Sequence, residues 1–462
     1  MASTQAQARG RRTQSCIRQE RDTVSFQEEY QKKLMTAEQA IGLIENGDNI
    51  VKAMAVCEPP ALLKALADRV EANDLRDLTV YYYHSLEYAA NTILRYELLD
   101  RIHLKCGFYH TVERELAKRG REEGRKLFEF LPNSFGEFPH MLRSEKLHID
   151  ATILTVSPMD KAGFFSFGVN HDYGPAACRT SKKVLVEVNE NMPRINGRTL
   201  LHVSEVDAIV ENHVPLLEIN SDKNLPEAQA IARNIVELIP DGATLQMGVG
   251  AIPDRVCAFL EEHNELGIHS ECLTAGLVHL AKLGVANGAR KTLHNRKAIF
   301  SFTWGNKEHY DFLDDNLYFE AHPTDYVINP GIIEKNDNFI SVNSLLEIDL
   351  LGQVNSEAIG HQQFTATGGQ LDFVRGSQRS KGGKSILAFT STAGRGKFSR
   401  IVPTLNGPVT DTRLDVQYVI TEHGIANLKG MTSTERANTL ISLADPKFRD
   451  ELTHAARQMY LV

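Results

Sequence analysis

Apolar positions along the chain fall into short continuous runs separated by stretches of helical period. Thr36 and Gln39, three residues apart, form a capping box, and Ala40, Ile41 and Ile44 then share one helical face until Asn46-Gly47 ends the segment. An extended apolar stretch follows from Ile50 to Val56. Glu58-Pro59-Pro60 then opens a helix carrying Leu62, Leu63, Leu66 and Val70, with proline in the first turn, where no N–H is needed. The same order returns from Pro226. Ala228, Ile231, Ile235 and Leu238 line a helix that stops at Pro240-Asp241-Gly242, and a strand-like run, Ala243 to Met247, leads into Gly248-Val249-Gly250-Ala251-Ile252-Pro253 and another helix. Gly47 and Gly242 are 195 residues apart, and each copy continues into a further β-like segment, Leu78 to His84 and Leu266 to Glu271.

Two copies of one strand–loop–helix grammar imply two related α/β domains. Other short apolar runs bounded by polar or Gly/Pro residues fit the same class: Ala151–Val156, Val184–Val188, Ala298–Phe302, Ser385–Thr390 and Val416–Ile420. The expected architecture is α/β, two related open-sheet domains with the active site between them at strand ends. Residues 1–24, polar and without periodicity, read as a flexible tail. Residues 25–215 form the N-terminal domain and 216–462 the C-terminal domain, joined near 213–225.

The length of 462 residues, about three times a typical ~150-residue domain, agrees with two large units. Against 51 basic residues stand 59 acidic ones, a net charge of −8 that argues against a nucleic-acid partner. No apolar run approaches the ~20 residues that span a bilayer, and the first 24 residues lack a signal-peptide core, so a cytoplasmic protein with no membrane partner is expected. The six cysteines are scattered, with no CxxC pair, and suggest neither a zinc site nor a disulfide framework.

Familiar cofactor motifs fail on inspection. The third glycine of a dinucleotide-binding G-x-G-x-x-G would fall on Pro253, and the first glycine of a P-loop ending Gly383-Lys384-Ser385 would fall on Gln378. Two glycine-bearing loops remain as candidate ligand cradles, Gln246–Pro253 before a helix and Thr367–Gly376. The second opens onto a local excess of charge. From Phe373 to Arg400 the chain holds Arg375, Arg379, Lys381, Lys384, Arg395, Lys397 and Arg400 and no acidic residue, which suits a small ligand with several phosphates. In Leu266-Gly267-Ile268-His269-Ser270-Glu271-Cys272 the alternation reads as a strand with Glu271 near its end. Spacing alone leaves that carboxylate as a base, a metal ligand or a nucleophile.

Together these residues resemble the 4-hydroxybutyrate and butyrate CoA-transferases of the acetyl-CoA hydrolase/transferase family. The likeness runs from about Gln27 onward through Glu58-Pro59-Pro60, Val186–Asn189 with Met192-Pro193-Arg194, Gly248–Pro253, Gly267–Glu271, Gly352-Gln353, Gly368-Gly369-Gln370 with Asp372–Gly376, and Thr421-Glu422 with Gly424-Ile425-Ala426. The resemblance implies ping-pong transfer of coenzyme A from an acyl-CoA to a small carboxylate, in a homo-oligomer, with no metal or nucleotide cofactor. On the matching positions it makes Glu271 the nucleophile that becomes a glutamyl-CoA thioester. It makes the backbone of Gly248, Val249, Gly250, Ala251 and Ile252 the oxyanion and CoA-binding loop, with Leu346, Gly368, Gly369 and Lys384 as further CoA contacts. An acyl-CoA hydrolase using the same glutamate is the alternative.

The chain departs from the family at Ala366, where glycine is usual, at Ala275, where aspartate is usual, and at His423, where tyrosine is common. These departures suggest an altered acyl pocket. Met54 stands where the 4-hydroxybutyrate enzymes often have histidine, and Glu87 where a small residue is usual. As substrate-pocket residues, the two look closer to the itaconate CoA-transferase branch.

Overall fold

The computed structural model describes residues 25–144, 146–219 and 226–462. The expected tail, 1–24, and part of the expected joint lie outside these residues. Seven strands make a first sheet: β1 Asn49–Lys52, β2 Leu78–Tyr82, β3 Ile102–Cys106, β4 Phe128–Phe130, β5 Ala151–Val156, β6 Lys183–Val188 and β7 Ala208–Glu211. Their order is β7-β6-β5-β1-β2-β3-β4, and every neighbour pair is parallel.

The second sheet is built from β8 Thr244–Met247, β9 Gly267–Leu273, β10 Ala298–Thr303, β11 Phe319–Ala321, β12 Phe339–Asn343, β13 Lys384–Ala388, β14 Tyr418–Thr421 and β15 Gly424–Asn427. Its order is β15-β14-β13-β12-β8-β9-β10-β11, closed beyond β11 by the two-residue strand Asn196–Gly197. Adding seven to each label of the first sheet reproduces β14 to β11, so the repeat visible in the sequence is a repeat of topology. The chain is an α/β protein on two related open sheets. The additions are β15, antiparallel to β14, and the short strand lent by the first half.

Parallel strands are covered on both faces, which is why β5 and β10 read as apolar runs; every residue in both is buried. One apolar cluster joins Leu154, Val156 and Val186 of the first sheet to Leu245, Ile268, Phe300 and Ile340 of the second. A second cluster joins Met54, Tyr83 and Phe135 to Cys272, Phe302 and Phe373. The halves therefore share core as well as chain. Cysteines 57, 106, 178, 257 and 272 are free and buried, and Cys16 lies outside the described residues. No described helix is long and apolar enough to cross a membrane.

The first repeat departs from its expected outline just where it reaches the site. The apolar stretch 50–56 does not stay extended: β1 ends at Lys52, and Ala55–Cys57 forms a single 3-10 turn with Ala55 at φ 50°, a left-handed conformation that costs a non-glycine residue energy. A buried ion pair holds this turn. Lys52 Nζ donates to Glu58 Oε1 at 2.7 Å and to the Ala53 carbonyl at 3.1 Å, both side chains being fully buried. Glu58 also accepts from the N–H groups of Leu86 and Ala89, each at 3.1 Å. Lys52→Met leaves that carboxyl buried and uncompensated, and we expect it to cost about 3–5 kcal/mol in denaturant unfolding. Adding Glu58→Gln should recover most of the loss; a single-variant cost below about 1 kcal/mol would contradict this role for the pair.

Candidate active site

The centre of the second sheet is a point of topological reversal. From β8 the chain builds β9, β10 and β11 on one side, then returns to place β12 against the other side of β8 and continues outward to β13 and β14. Loops leaving neighbouring strands in opposite directions open a crevice beyond their C-terminal ends. Here those loops are Gly248-Val249 after β8 and Ser344–Leu346 after β12. Gln246 and Asn343 sit at the two strand ends and exchange reciprocal amide hydrogen bonds of 3.0 and 2.9 Å, which fix the floor.

β9 carries the candidate nucleophile past the end of its ladder with β8. The two strands pair at Thr244–Gly267 and Leu245–Ile268, and beyond that point the Ser270 hydroxyl meets Met247 at 3.4 Å. Glu271 follows, half-buried on the wall of a cavity of about 410 Å3. The facing wall comes from the first half: Met54 after β1, Tyr83 and His84 after β2, Phe108 and His110 after β3, and Phe135.

Glycines let the backbone close on Glu271. Gly369 donates its N–H to the carboxylate, and a methyl group at that position would fall 2.0 Å from Oε2. Gly369 also caps α-helix Gln370–Arg379, whose N-terminus carries partial positive charge toward the same carboxylate. Gly368, at φ 56°, accepts from the Phe135 N–H at 3.1 Å, and the Ser134 hydroxyl donates to Asp372 in the first turn of that helix. The first half thus holds the loop that faces the glutamate. Burial, and secondarily the charge of Asp372, push the Glu271 carboxyl up to about 8, against the opposing Gly369 hydrogen bond.

Seven of the anticipated positions meet at this cavity: Met54, Gly248, Val249, Glu271, Leu346, Gly368 and Gly369. Gly250, at φ 138°, caps the helix Ala251–Phe259, in whose first turn Ile252 is buried in the core. These residues support the loop from behind. Two expected positions are corrected. Glu87 is exposed at the start of the short helix Glu87–Ala90, because that helix turns its backbone N–H groups, not this side chain, toward the buried Glu58. Lys384 opens β13, the strand end remote from the crevice, and its ammonium donates to the Leu238 carbonyl at 3.0 Å.

The acid-free segment is likewise not one field over the cavity. Of its seven basic residues Arg400 lines the wall, donating to the Leu346 carbonyl at 3.0 Å and lying over the Phe389 ring, while Arg375 is paired with Asp415. Lys381 lies 3.8 Å from Asp337, and of the seven only Arg400 is among the residues lining the cavity. The residues not anticipated are Tyr83, His84, Phe108, His110 and Phe135 from the first half and Asn343 from the second, while Gln246 and Gln370 belong to the two candidate loops and Arg400 to the basic segment.

Comparison with known proteins follows this geometry. The model of the acetyl-CoA hydrolase/transferase N-terminal domain matches residues 14–218, and that of the C-terminal domain matches 305–456. The 4-hydroxybutyrate coenzyme A transferase of Clostridium kluyveri is 42% identical, covering 95% of this chain and 100% of its own. The chain belongs to the acetyl-CoA hydrolase/transferase family. Within that family, the butyryl-CoA:acetate CoA-transferase of Anaerostipes caccae is 37% identical, covering 94% of this chain and 98% of its own. The crystal structure of RipA from Yersinia pestis superposes with a TM-score of 0.92 at 49% identity, covering 95% of this chain and all of that one. The repeated sheets and the crevice at β8 and β12 are therefore those of an acetyl-CoA hydrolase/transferase fold.

Proposed function

We propose that the protein moves coenzyme A from an acyl-CoA to a small carboxylate of the 4-hydroxybutyrate, butyrate or itaconate class, through a glutamyl-CoA thioester on Glu271. Membership of the family and the transferase names of its relatives make the chain an acyl-CoA:carboxylate CoA-transferase. The observation that carries the mechanism is the half-buried Glu271 carboxyl at the switch point, held by the Gly369 N–H beside a glycine loop.

The Glu271 carboxylate attacks the thioester carbonyl, the C–S bond breaks, and CoA thiolate leaves a mixed anhydride of the glutamyl and substrate acyl groups. The thiolate then attacks the glutamyl carbonyl, forming the glutamyl-CoA thioester and releasing the substrate carboxylate. The acceptor carboxylate runs the same two steps in reverse and regenerates Glu271. Each step puts negative charge on a carbonyl oxygen, and the backbone N–H groups of Val249 and Gly369 supply fixed donors for it, the Gly248 N–H being committed to the Val342 carbonyl at 2.8 Å. The aromatic wall from Tyr83 to Phe135 keeps the thioester from water, which is the other acceptor. With Glu87 exposed, the itaconate preference rests on Met54.

Acceptors supplied one at a time with a common acyl-CoA test this reading. CoA transfer should depend on the carboxylate. Equal CoA release with and without an acceptor would instead make the protein an acyl-CoA hydrolase.

The raised carboxyl fixes the sign of the pH dependence. Attack needs the ionised form, and a group titrating at about 8 is mostly protonated below that pH. We expect kcat/KM to rise about tenfold per unit on the acid side and to level off above about pH 8. Asp372→Asn removes a neighbouring negative charge, so its rising limb should move to lower pH. A wild-type profile that is flat or falling over this range would contradict the assignment.

A further inference from the structure

Of the buried side-chain nitrogen and oxygen atoms without a hydrogen-bond partner among the described residues, one belongs to a residue lining the cavity: Nε2 of His84. A polar atom left so forfeits about 1–3 kcal/mol unless something pairs with it. The residue is firmly placed. Its carbonyl accepts from the N–H of Ala55 in the left-handed turn at 3.1 Å, tying it to the buried Lys52–Glu58 pair. Its ring stands edge-on to Trp304 with centroids 5.3 Å apart, lies 4.0 Å from the ring of His110, and stacks on Phe108 at 6.2 Å.

Apart from the His110 ring, the surrounding wall of Met54, Phe108, Phe302 and Trp304 is apolar. Burial, and then the nearby His110, Lys52 and Arg114, hold the imidazole's pKa well below its ordinary value, so it stands neutral. A neutral imidazole in an aromatic wall offers one directed hydrogen bond and no charge. Across the same cavity stands Glu271, where the thioester carbon must come.

We propose that His84 is a specificity-determining residue whose Nε2 hydrogen-bonds an oxygen function at the far end of a short acyl chain. The inference rests on the acyl-CoA reading above and adds to it which end of the substrate is recognised, and by what. A chain ending in a methyl group leaves Nε2 unpaired; one ending in a hydroxyl or carboxylate satisfies it. Sites built to hydrogen-bond a substrate discriminate strongly against analogues lacking the partner, because the unpaired group stays buried.

Butyryl-CoA, 4-hydroxybutyryl-CoA and succinyl-CoA share a four-carbon acyl chain and differ in the oxygens at its fourth carbon. Their kcat/KM values, measured as donors to acetate, give two ratios relative to butyryl-CoA, and the two arms separate hydroxyl from carboxylate recognition. Each ratio is internal to one preparation, so loss of folded protein cancels. We expect at least one ratio to exceed about tenfold in the wild type, to fall within about twofold of unity in His84→Phe, and to survive in His84→Gln, which keeps a hydrogen-bonding group. Wild-type ratios near unity, ratios unchanged in His84→Phe, or a collapse in both variants would overturn the proposal. If the wild type transfers CoA from none of the three, the functional reading fails instead. The ratios are then read as dissociation constants from the fluorescence of Trp304, the chain's single tryptophan.

Discussion

Glu271→Ala will lose CoA transfer by about 10^4-fold or more, the scale on which removal of a covalent nucleophile acts. Its expected effect is on kcat, with acyl-CoA still bound, because the cavity is built mainly by other residues: Gly248 and Val249 after β8, Ser344 to Leu346 after β12, and the aromatic wall of the first half. The side chain stands half-buried, so its truncation opens space at a cavity surface rather than a void in the core. Single-turnover kinetics with one acyl-CoA, together with a binding isotherm from Trp304 fluorescence, check both parts. Retention of more than about 1% of wild-type kcat would be incompatible with a nucleophilic Glu271.

Gly369→Ala is the second large expected effect, and it acts without removing any charged group. The added methyl would fall 2.0 Å from Glu271 Oε2 and 3.1 Å from the Ile328 side chain. The first distance is far inside van der Waals contact, so the carboxylate must move. Moving it breaks the Gly369 hydrogen bond and misplaces the attacking oxygen, for which we expect kcat to fall about 10^2- to 10^3-fold. Gly369 has φ −97°, accessible to any residue, so the backbone itself tolerates the change. The melting temperature should accordingly shift little while turnover collapses, and near-normal turnover would show that the glycine is not there for the carboxylate.

The parts of the molecule legible in the sequence are those where local chemistry and tertiary context agree. β8 lies in a strand-like run between Pro240-Asp241-Gly242 and Gly248, β9 shows as an alternation of apolar and polar residues, and the cap at Thr36 forms as its spacing requires, each partner bonding the other's backbone. β12, which completes the crevice, did not stand out. Its Ser341 is buried, satisfied by the hydroxyl of Ser377 at 3.0 Å, so a core strand carries a polar residue that masks the apolar run. The first half's contribution was hidden for the opposite reason. Tyr83, Phe108 and Phe135 look like ordinary core residues, the first and last fully buried and Phe108 partly so; their place on a cavity wall depends on the second sheet lying across from them.

Charge counting was informative in bulk and misleading locally. Net charge leaves room for a basic segment, but Arg375 spends its charge on Asp415 and Lys384 on a carbonyl, and these pairings are set by elements distant in sequence. Glu87 illustrates the same limit at one residue: its neighbours Leu86 and Ala89 donate to Glu58, and that orientation turns its own side chain outward. The chemical role of Glu271 came from family resemblance, since alternation placed it near a strand end without choosing among carboxylate chemistries. The geometry adds the Gly369 hydrogen bond, the influence of Asp372 and the raised carboxyl.

The covalent glutamyl-CoA thioester is the central claim, and intact mass spectrometry of the full chain tests it most directly. Wild-type protein mixed with acyl-CoA in the absence of acceptor, then quenched in acid, should gain the mass of one CoA less water. Peptide mapping should place the adduct on Glu271, Glu271→Ala should gain nothing, and added carboxylate should discharge the adduct as acyl-CoA appears. Transfer that proceeds at full rate with no CoA adduct on the wild-type chain would contradict the account.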